Sequence, residues 1–275
     1  MTTSLNKNKT VTVILPNYNY GKYITSRIDD ILSQTHPVSE LIILDDASTD
    51  NSMEMIKESF FKIKRTRPDL KVKIIANKKN SGNVFSQWQK GIEHATSDYI
   101  WIAELDDVAM PKLLSVAIKA FEEESVRLSV VDSRFIDEKN RPILKDNLRK
   151  VKDMLRRNIL VYNTIPNVSA AVFKNQPSLV DFLEEAKKFH LSGDWFFYVK
   201  ISETGKIAYN KKILNLHRLH SGSVTKTTDY KLRFTEMHAI HTYIIKNKLA
   251  DEKTKDQIIK LEKTLKKRWS RSAKI

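Results

Sequence analysis

The sequence has 275 residues, of which 41% are hydrophobic and 29% charged, a composition typical of a globular rather than a disordered protein. Its formal net charge of +15 favours anionic partners such as nucleotide diphosphates, nucleic acid or an anionic lipid surface. The absence of cysteine excludes disulfides and cysteine-ligated zinc, and no segment resembles a signal peptide or a spanning helix. We therefore expect a soluble, cytoplasmic protein with one large domain and an appendage.

Four short apolar runs alternate with segments of helical spacing over the first hundred residues. The runs lie at 11–15, 41–44, 72–76 and 99–103. Strands that alternate with helices predict an α/β fold with a largely parallel sheet and helices on both faces. Polar residues follow each run directly, at 17–19, 45–50, 80–83 and 104–107. Because ligands of open α/β sheets bind outside the carboxyl ends of the strands, we expect these clusters to line one cleft.

The pattern changes after about residue 125. We predict a helix from Asp194 to Gly205, a basic irregular stretch at 139–157, and strands at 128–131, 168–173, 207–209 and 213–216. From residue 227 onward basic residues outnumber acidic ones, and the apolar spacing predicts two helices. We divide the chain into a large domain, residues 1–226, and a basic helical extension, residues 227–275. The extension could pack on its own domain, form a subunit interface or rest on anionic lipid.

Three carboxylates follow the fourth predicted strand, at Glu104, Asp106 and Asp107. Carboxylate oxygens are hard ligands that suit Mg²⁺ or Mn²⁺, usually together with substrate phosphates. Held together without a cation, these groups would repel one another. The alternative is a solvated turn in which Asp107 caps a helix that begins near Pro111. The acidic residues alone do not decide between the two interpretations.

Asp46 and Asp194 are two further carboxylates with candidate roles. Asp46 follows the second strand, where a carboxylate can accept a hydrogen bond from a base or a ribose. Asp50, close by, is expected only to cap the next helix. Asp194 precedes a strongly apolar helical run, so it can cap that helix or act as a general base toward an acceptor hydroxyl.

The chain has neither of the glycine-rich loops that cradle phosphates, G-x-G-x-x-G and G-x-x-x-x-G-K-[ST]. A metal ion and basic side chains must then neutralise any bound diphosphate. The segment at 215–225 offers such groups, since Arg218 can hold a diphosphate bidentately and His220 can bind a metal. The alternative is an ordinary surface loop with solvated side chains.

Five segments, in their order and spacing, resemble the family 2 glycosyltransferases. They are VILPNYNYGKYI, LIILDDASTDNS, NSGN, AELDDVAMP and SGDWFFYVKI. The likeness covers residues 11–225. It implies the GT-A fold, which is α/β with a Rossmann-like, mostly parallel central sheet flanked by helices, here with a C-terminal helical extension. It also implies an inverting, metal-dependent enzyme that uses a nucleotide sugar.

The resemblance assigns contacts with the donor nucleotide to the first half of the chain. Pro16 and Tyr18 match the first nucleotide-contacting segment, and Asp46 matches the carboxylate that contacts the base. Further nucleotide contacts are matched by Asn80, Gly82 and Gln87. Gln87 stands about where many members carry an arginine. Asp106 and Arg218 complete the expected donor site, Arg218 where a phosphate-binding arginine would be useful.

The resemblance also implies a metal site and a catalytic base. Glu104 and Asp106 match the two acids of the D-x-D signature, with Asp107 adjacent, and Glu104 departs from aspartate. Asp106 and Asp107 remain alternatives for the direct ligand of Mn²⁺ or Mg²⁺. His220 matches a histidine that in some members reaches the metal or the diphosphate. Asp194 matches the catalytic base of the family.

The implied function is transfer of a sugar, with UDP-sugar as the expected donor, to a hydroxyl of a glycan, glycolipid or glycoprotein in bacterial surface polysaccharide or glycoconjugate synthesis. Two other functions fit parts of the sequence. A sugar nucleotidyltransferase also needs a metal and carboxylates, but its glycine-rich, lysine-containing start is not seen in VILPNYNYG. A basic nucleic-acid-binding protein would leave the four polar clusters unexplained, so no specific nucleic acid is expected. The basic extension offers peripheral contact with the inner face of the membrane, or self-association.

Overall fold

A computed structural model describes residues 9–143, 158–219 and 230–272, with side chains described up to residue 267. The basic stretch predicted at 139–157 lies outside these residues from 144 onward, as does His220. The strands are β1 (Val11–Asn17), β2 (Glu40–Asp45), β3 (Lys71–Ala76), β4 (Tyr99–Ile102), β5 (Val108–Ala109), β6 (Val126–Ile136), β7 (Ala171–Lys174) and β8 (Lys206–Arg218). The helices are α1 (Gly21–Leu32), α2 (Ser52–Thr66), α3 (Val84–His94), α4 (Leu113–Lys119), α5 (Ser178–Ala186), α6 (Gly193–Thr204), α7 (Tyr230–Lys246) and α8 (Glu252–Ser272).

The strands form one sheet that is parallel in its first half and mixed in its second. The strand order is β3-β2-β1-β4-β7-β6-β8-β5. β1 pairs in parallel with β2 and β4, and β2 pairs in parallel with β3. β7 runs antiparallel to β4 and β6, whereas β8 runs parallel to β6. The predicted parallel sheet is thus found in β1 to β4, whose carboxyl ends share one edge.

Three of the predicted strands differ in the structure. The run at 168–173 begins as a 3₁₀ turn, Val168–Ala170, and only then becomes β7. The runs at 207–209 and 213–216 belong to one continuous strand, β8. The pairing of β8 with β6 shifts register at three points, and such irregularities accommodate the polar residues that separate the two apolar runs.

Helices cover both faces of the sheet, as the sequence predicted. Side chains alternate along β1, so Ile14 packs with Trp88 of α3, whereas Val13 and Leu15 pack on the other face with Ile24 of α1. The three β1 side chains are fully buried. Strands that are buried on both faces have continuous apolar sequences, which explains why these strands were readily predicted.

The helices α7 and α8 pack on the large domain. Met237, Ile240 and Ile244 of α7 and Ile258 of α8 are buried in the same core cluster as Trp195 of α6. Of the three arrangements considered for the basic extension, the described residues adopt packing on their own domain. The domain division at residue 227 stays a prediction. Among the described helices, none combines the length and the apolar character needed to cross a bilayer.

Gly91 lies where α3 approaches β1 most closely. A Cβ atom at this position would lie 2.4 Å from Cγ2 and 2.9 Å from Cδ1 of Ile14. Ile14 is fully buried, and side chains in a close-packed interior have little space into which to move. The contact between helix and strand therefore depends on a residue without a side chain.

We expect Gly91→Ala to lower the free energy of unfolding by about 1–2 kcal/mol, because the clash with Ile14 outweighs a gain of about 1 kcal/mol in helix propensity. Urea unfolding of the purified protein measures this difference. Glu93→Ala, an exposed change on the same helix, is the control and should stay within about 0.5 kcal/mol of the wild type. A Gly91→Ala variant as stable as the wild type would show that α3 can move away from β1.

Candidate active site

Polar side chains at neighbouring strand ends are hydrogen bonded to one another at the carboxyl edge of the sheet. The Asn17 amide at the end of β1 donates to Asp45 Oδ1 at the end of β2, at 2.6 Å. Asp50 accepts hydrogen bonds from the backbone N–H groups of Ser52 and Gly21, both at 3.0 Å. Asp50 thus caps α2 and also α1, which confirms its expected capping role and ties the first two strand ends together.

Asp46 is buried at the centre of the next cluster. Its Oδ1 accepts the side-chain amides of Asn77 at 2.5 Å and Gln87 at 2.9 Å. Its Oδ2 accepts the Ser81 hydroxyl at 2.7 Å, and the Ser81 backbone N–H donates to Oδ1 at 2.9 Å. Several donors on one carboxylate fix its orientation before any ligand binds. The contact of Asp46 with a nucleotide base stays a prediction.

The loop at 80–83 is shaped by its own hydrogen bonds. Asn80 donates to the backbone oxygen of Asp46 at 3.1 Å and accepts the Gly82 backbone N–H at 2.7 Å. Gly82 has a φ of 68°, in the left-handed region that favours glycine. Gln87, in place of the arginine of many members, is buried against Asp46, and its Oε1 has no hydrogen-bond partner among the described residues. The predicted nucleotide contacts of these residues are untested.

Pro16, Tyr18 and His220 are the remaining residues predicted to contact the donor or the metal. Pro16 is half-buried near the end of β1. Tyr18 follows β1 and is 46% exposed, so its ring is accessible at the same edge of the sheet. His220 lies outside the described residues. The roles of all three stay predictions.

Glu104, Asp106 and Asp107 come together in the loop between β4 and β5, which we call the acidic loop. One ligand oxygen from each lies within 4.8 Å of the others. Glu104 and Asp106 are partly exposed, whereas Asp107 is buried. Each oxygen of Asp107 accepts a hydrogen bond, Oδ1 from the Arg218 backbone N–H at 3.2 Å and Oδ2 from the Asn167 amide. Asp107 does not cap the next helix, since α4 begins only at Leu113.

The crowding of these carboxylates changes their acidity. Burial raises the pKa of Glu104 well above its usual value, and the charges of Asp106 and Asp107 add to the shift. Burial also raises the pKa of Asp107. Tyr20, which follows β1, has its pKa raised to about 12 by burial and then by the charges of Asp106 and Glu104. The charges of the acidic loop therefore act on a residue that follows β1, and the excess negative charge suits a cation. That the four polar clusters line one cleft stays a prediction.

Arg218, the last residue of β8, is hydrogen bonded to the backbone of the acidic loop. Its Nε donates to the backbone oxygen of Asp106 and its Nη1 to that of Asp137, both at 2.8 Å. Its guanidinium carbon lies 5.1 Å from the ring centre of Tyr23. The residue is only 4% exposed. The structure therefore gives Arg218 a structural role that was not predicted, while its predicted contact with a diphosphate is untested.

Arg27 of α1 is a second buried cation near the acidic loop. Its guanidinium lies 5.1 Å from the ring centre of Trp101, and Nη1 lies 3.8 Å from Asp30 Oδ2. Burial lowers the pKa of Arg27, whereas the charges of Asp107 and Asp30 oppose the shift. A buried charge is unfavourable unless opposite charges compensate it. The charges of Asp107 and Asp30 thus compensate part of the cost of burying Arg27.

Asp194 lies in the first turn of α6. Its Oδ1 accepts the Trp195 backbone N–H at 2.7 Å, and its Oδ2 accepts the Asn163 amide at 3.0 Å. Burial raises the pKa of Asp194 to about 6, although both hydrogen bonds lower it. The charge of Asp194 in turn contributes to the raised pKa of Glu104, so the two carboxylates are close enough to interact. A carboxylate of this acidity is ionised at neutral pH and can accept a proton.

Four residues that hold these carboxylates were not predicted. They are Asn77, Ser81, Asn163 and Asn167. Ser81 falls within a polar cluster that was recognised as a whole. The only signal at 163–167 is a group of small polar residues before an apolar run, a pattern that is equally typical of ordinary turns.

A comparison with protein families identifies the chain. The model of glycosyl transferase family 2 matches residues 12–178, more than half of the sequence and the part that contains Asp46 and the acidic loop. The chain belongs to glycosyl transferase family 2. The resemblance seen in the five segments is thereby confirmed. Asp194 lies beyond the matched residues.

Relatives of this family 2 glycosyltransferase include a Staphylococcus aureus protein, poly(ribitol-phosphate) beta-N-acetylglucosaminyltransferase TarP. TarP is 24% identical over 216 residues, which are 71% of this chain and 64% of TarP. A Nostoc glycosyltransferase is 32% identical over 116 residues, but these make up only 34% of its length. The chain spans only about a third of the length of that relative. The activity, substrates and partners of the present protein therefore remain proposals.

Solved structures show the fold of this family 2 glycosyltransferase. S. aureus TarS 1–349 in complex with UDP has a TM-score of 0.66 at 18% identity, covering 90% of this chain and 69% of that one. The mannosyltransferase PcManGT from Pyrobaculum calidifontis, in complex with GDP-Man and Mn²⁺, has a TM-score of 0.65 at 18% identity, covering 93% and 69%. The predicted GT-A fold is confirmed.

We expect Asp194→Asn to gain stability relative to the wild type as the pH rises. A carboxyl whose pKa is raised to about 6 holds its proton more tightly in the folded chain, so the wild type loses stability between about pH 4 and 6. Asparagine does not ionise, so the difference in unfolding free energy should shift by about 2–3 kcal/mol in its favour between pH 4 and 7.5.

Urea unfolding at the two pH values measures this shift. Asp256→Asn, which changes an exposed carboxylate of α8, is the matched control and should show no comparable pH dependence. If Asp194→Asn and the wild type differ by the same amount at pH 4 and 7.5, Asp194 is not desolvated in the folded chain.

Proposed function

We propose that the chain is an inverting glycosyltransferase that moves a sugar from a UDP-sugar to an acceptor hydroxyl of a glycan, glycolipid or glycoprotein in bacterial surface polysaccharide or glycoconjugate synthesis. The observation that carries this proposal is the proximity of two kinds of acidic group. Three carboxylates within 4.8 Å suit a cation and a diphosphate, and Asp194, whose charge acts on Glu104 and whose pKa is raised to about 6, suits a proton acceptor.

Glu104 and Asp106 would hold Mn²⁺ or Mg²⁺, with His220 as a further ligand. Hard oxygen ligands and the excess negative charge that raises the pKa of Glu104 fit such an ion. Asp107 would hold the loop in place through the hydrogen bonds that it accepts from Arg218 and Asn167, and it stays an alternative to Asp106 as the direct ligand. The Mn²⁺ named in the PcManGT complex supports the choice of ion. When bound, the ion would supply positive charge that stabilises the departing diphosphate.

Asp46 would recognise the base of the donor. An ionised carboxylate only accepts hydrogen bonds, so it pairs with a base that presents an N–H, such as N3–H of uracil, and not with the unprotonated ring nitrogen of cytosine. The donors on Asp46 from Ser81 and Gln87 would keep it in place for this contact. The UDP in the TarS complex is consistent with a uracil donor. Pro16, Tyr18, Asn80 and Gly82 would border the nucleotide, and Arg218 would act at the diphosphate.

Transfer would take place in one displacement. Asp194 would accept the proton of the acceptor hydroxyl while that oxygen forms a bond to the anomeric carbon. The bond from this carbon to the diphosphate oxygen would break on the opposite side, and the nucleoside diphosphate would leave with the electron pair. Attack from the side opposite the leaving group inverts the anomeric configuration, and no covalent enzyme intermediate is needed.

We expect the purified protein to release UDP from one member of a panel of nucleotide sugars, and to stop when the metal is removed by EDTA. Asp106→Ala should lose both turnover and Mn²⁺-dependent binding of UDP, because it removes a proposed metal ligand. Asp194→Asn should keep UDP binding and lose turnover by about 10²-fold or more, because it removes the base. UDP release and calorimetric titration with UDP and Mn²⁺ measure the two effects.

Asp181→Ala, on an exposed carboxylate of α5, is the control and should behave as the wild type. Full turnover by Asp106→Ala or Asp194→Asn would contradict the role assigned to that residue. Release of pyrophosphate rather than UDP would instead indicate a sugar nucleotidyltransferase.

We also propose that the protein is cytoplasmic and contacts the inner face of the membrane through α8. Lys260, Lys263 and Lys266 are exposed on this helix, and Ile259 beside them is 45% exposed. A basic helix face with an apolar residue suits anionic lipid headgroups. Such a contact would bring the active site to an acceptor that is attached to lipid.

We expect replacement of Lys260, Lys263 and Lys266 by alanine to reduce binding to phosphatidylserine vesicles by more than tenfold, because each lysine near such a surface contributes about 1 kcal/mol. Cosedimentation at low salt measures the binding. Alanine at Lys57, Lys71 and Lys73, which are exposed on α2 and β3, is the matched control and should have little effect. Equal binding by both triple variants would contradict the membrane contact, and a concentration-dependent dimer lost only in the first variant would indicate self-association.

A further inference from the structure

The N-cap residue of the helix that carries Asp194 does not cap the helix with its side chain. This residue is Ser192, whose side chain makes no capping hydrogen bond. Backbone N–H groups at the start of a helix have no partner within the helix and need an acceptor from elsewhere. The position of Asp194, in the first turn of α6, therefore depends on what holds the segment before it.

Glu236 of α7 supplies an acceptor for the N-cap residue and for the two residues before it. Its Oε1 accepts the His190 backbone N–H at 2.6 Å. Its Oε2 accepts the backbone N–H groups of Leu191 at 3.0 Å and Ser192 at 2.8 Å. Glu236 is only 5% exposed, and hydrogen bonds from backbone N–H groups to a buried carboxylate are among the strong ones. Its negative charge also lies at the N-terminal end of α6, where the helix dipole favours it.

The helix α7 also holds the second segment that contacts Asp194. Asn163 donates to Asp194 Oδ2 at 3.0 Å. Two residues earlier, the backbone oxygen of Val161 accepts a hydrogen bond from Nε2 of His241, a buried residue of α7, at 3.0 Å. Both segments that determine where the Asp194 carboxylate lies are therefore fixed to the same C-terminal helix.

We propose that Glu236 is a positioning residue for sugar transfer, which binds the segment that leads into α6 and thereby holds Asp194 in place. This inference rests on the proposed role of Asp194 as the base. Glu236 acts through the backbone of the segment at 190–192 and does not contact the reacting atoms. The C-terminal helices thus form part of the catalytic unit. A displacement of a catalytic group by about 1 Å can reduce a rate by about 10²-fold, so a shift of the segment at 190–192 would affect catalysis.

Glu236 also acts on Asp194 electrostatically. Burial is the main cause that raises the pKa of Asp194 to about 6, and the charge of Glu236 adds to it. The other titratable groups that interact with Asp194 are Glu104 and Tyr198. Removal of the Glu236 charge lowers the pKa of Asp194, so the base ionises at lower pH. A residue that only stabilised the fold would leave the pH profile unchanged.

Glu236→Gln tests the proposal in the full chain. Glutamine keeps the size of the side chain, but it removes the charge and leaves one acceptor oxygen for three N–H donors. With the UDP-sugar identified by the donor panel, we expect kcat to fall by about tenfold or more. The affinity for UDP with Mn²⁺ should stay within about twofold of the wild type, since the donor contacts lie elsewhere. The acid limb of the pH profile should move to lower pH, and amide hydrogen exchange at 190–192 should accelerate.

Glu252→Gln is the matched control, because it makes the same change on a side chain of α8 that is 88% exposed. It should leave kcat, the pH profile and UDP affinity unchanged. Wild-type kcat together with an unshifted acid limb in Glu236→Gln would overturn the proposal. A parallel loss of kcat and UDP affinity would also overturn it, because Glu236 would then support the whole fold.

If Glu236→Gln does not fold, Glu236→Asp is measured in its place. Aspartate keeps the charge but withdraws it by one methylene, so kcat should fall while UDP affinity and the acid limb stay in place. Wild-type kcat with rapidly exchanging amides at 190–192 would overturn the proposal. Asp194→Asn in the same assay separates the two hypotheses. Turnover by Asp194→Asn would refute the role of Asp194 as the base. Loss of turnover in Asp194→Asn, together with a wild-type kcat in Glu236→Gln, would refute only the role of Glu236.

Discussion

The loop between β4 and β5 holds three carboxylates whose ligand oxygens lie within 4.8 Å of one another. Like charges at this spacing repel, and partial burial strengthens the repulsion because water screens it less. The surrounding structure opposes this repulsion at two places. Arg218 and Asn167 donate hydrogen bonds to the carboxylate of Asp107, and the buried Arg27 places a positive charge near the loop. Glu104 and Asp106 remain partly exposed, and on the proposed function a cation and a diphosphate would neutralise their charge together.

The first half of the fold could be predicted from the sequence, because the burial that shapes these strands leaves a local pattern in the sequence. Each of the strands β1, β2 and β4 is buried on both faces, so it has a continuous apolar sequence, and its polar residues begin where the strand ends. Those ends contain Asp46 and the acidic loop. The strand β8 was divided in two by the same reasoning, since its register shifts interrupt the apolar pattern without ending the strand.

The residues that hold the site carboxylates could not be predicted in the same way. Asn163 and Asn167 act through single contacts with Asp194 and Asp107, residues distant in the sequence. Glu236 belongs to a helix whose apolar residues were recognised, and a glutamate between them is typical of a solvated position. Only the docking of α7 buries this glutamate against the segment before α6. Local patterns predict which groups carry chemistry, but they do not reveal which distant groups hold them in place.

The position of Glu236 near the end of the sequence has a consequence for biosynthesis. A chain emerges from the ribosome with its N-terminus first, and domains fold as they are made. The strand ends that would bind the nucleotide sugar are complete before α7 has been synthesised. Until α7 docks, the N–H groups at 190–192 lack their carboxylate, and on the proposed role of Glu236 the base is not yet in place. On that role, the strand ends and the base reach their places at different stages of folding.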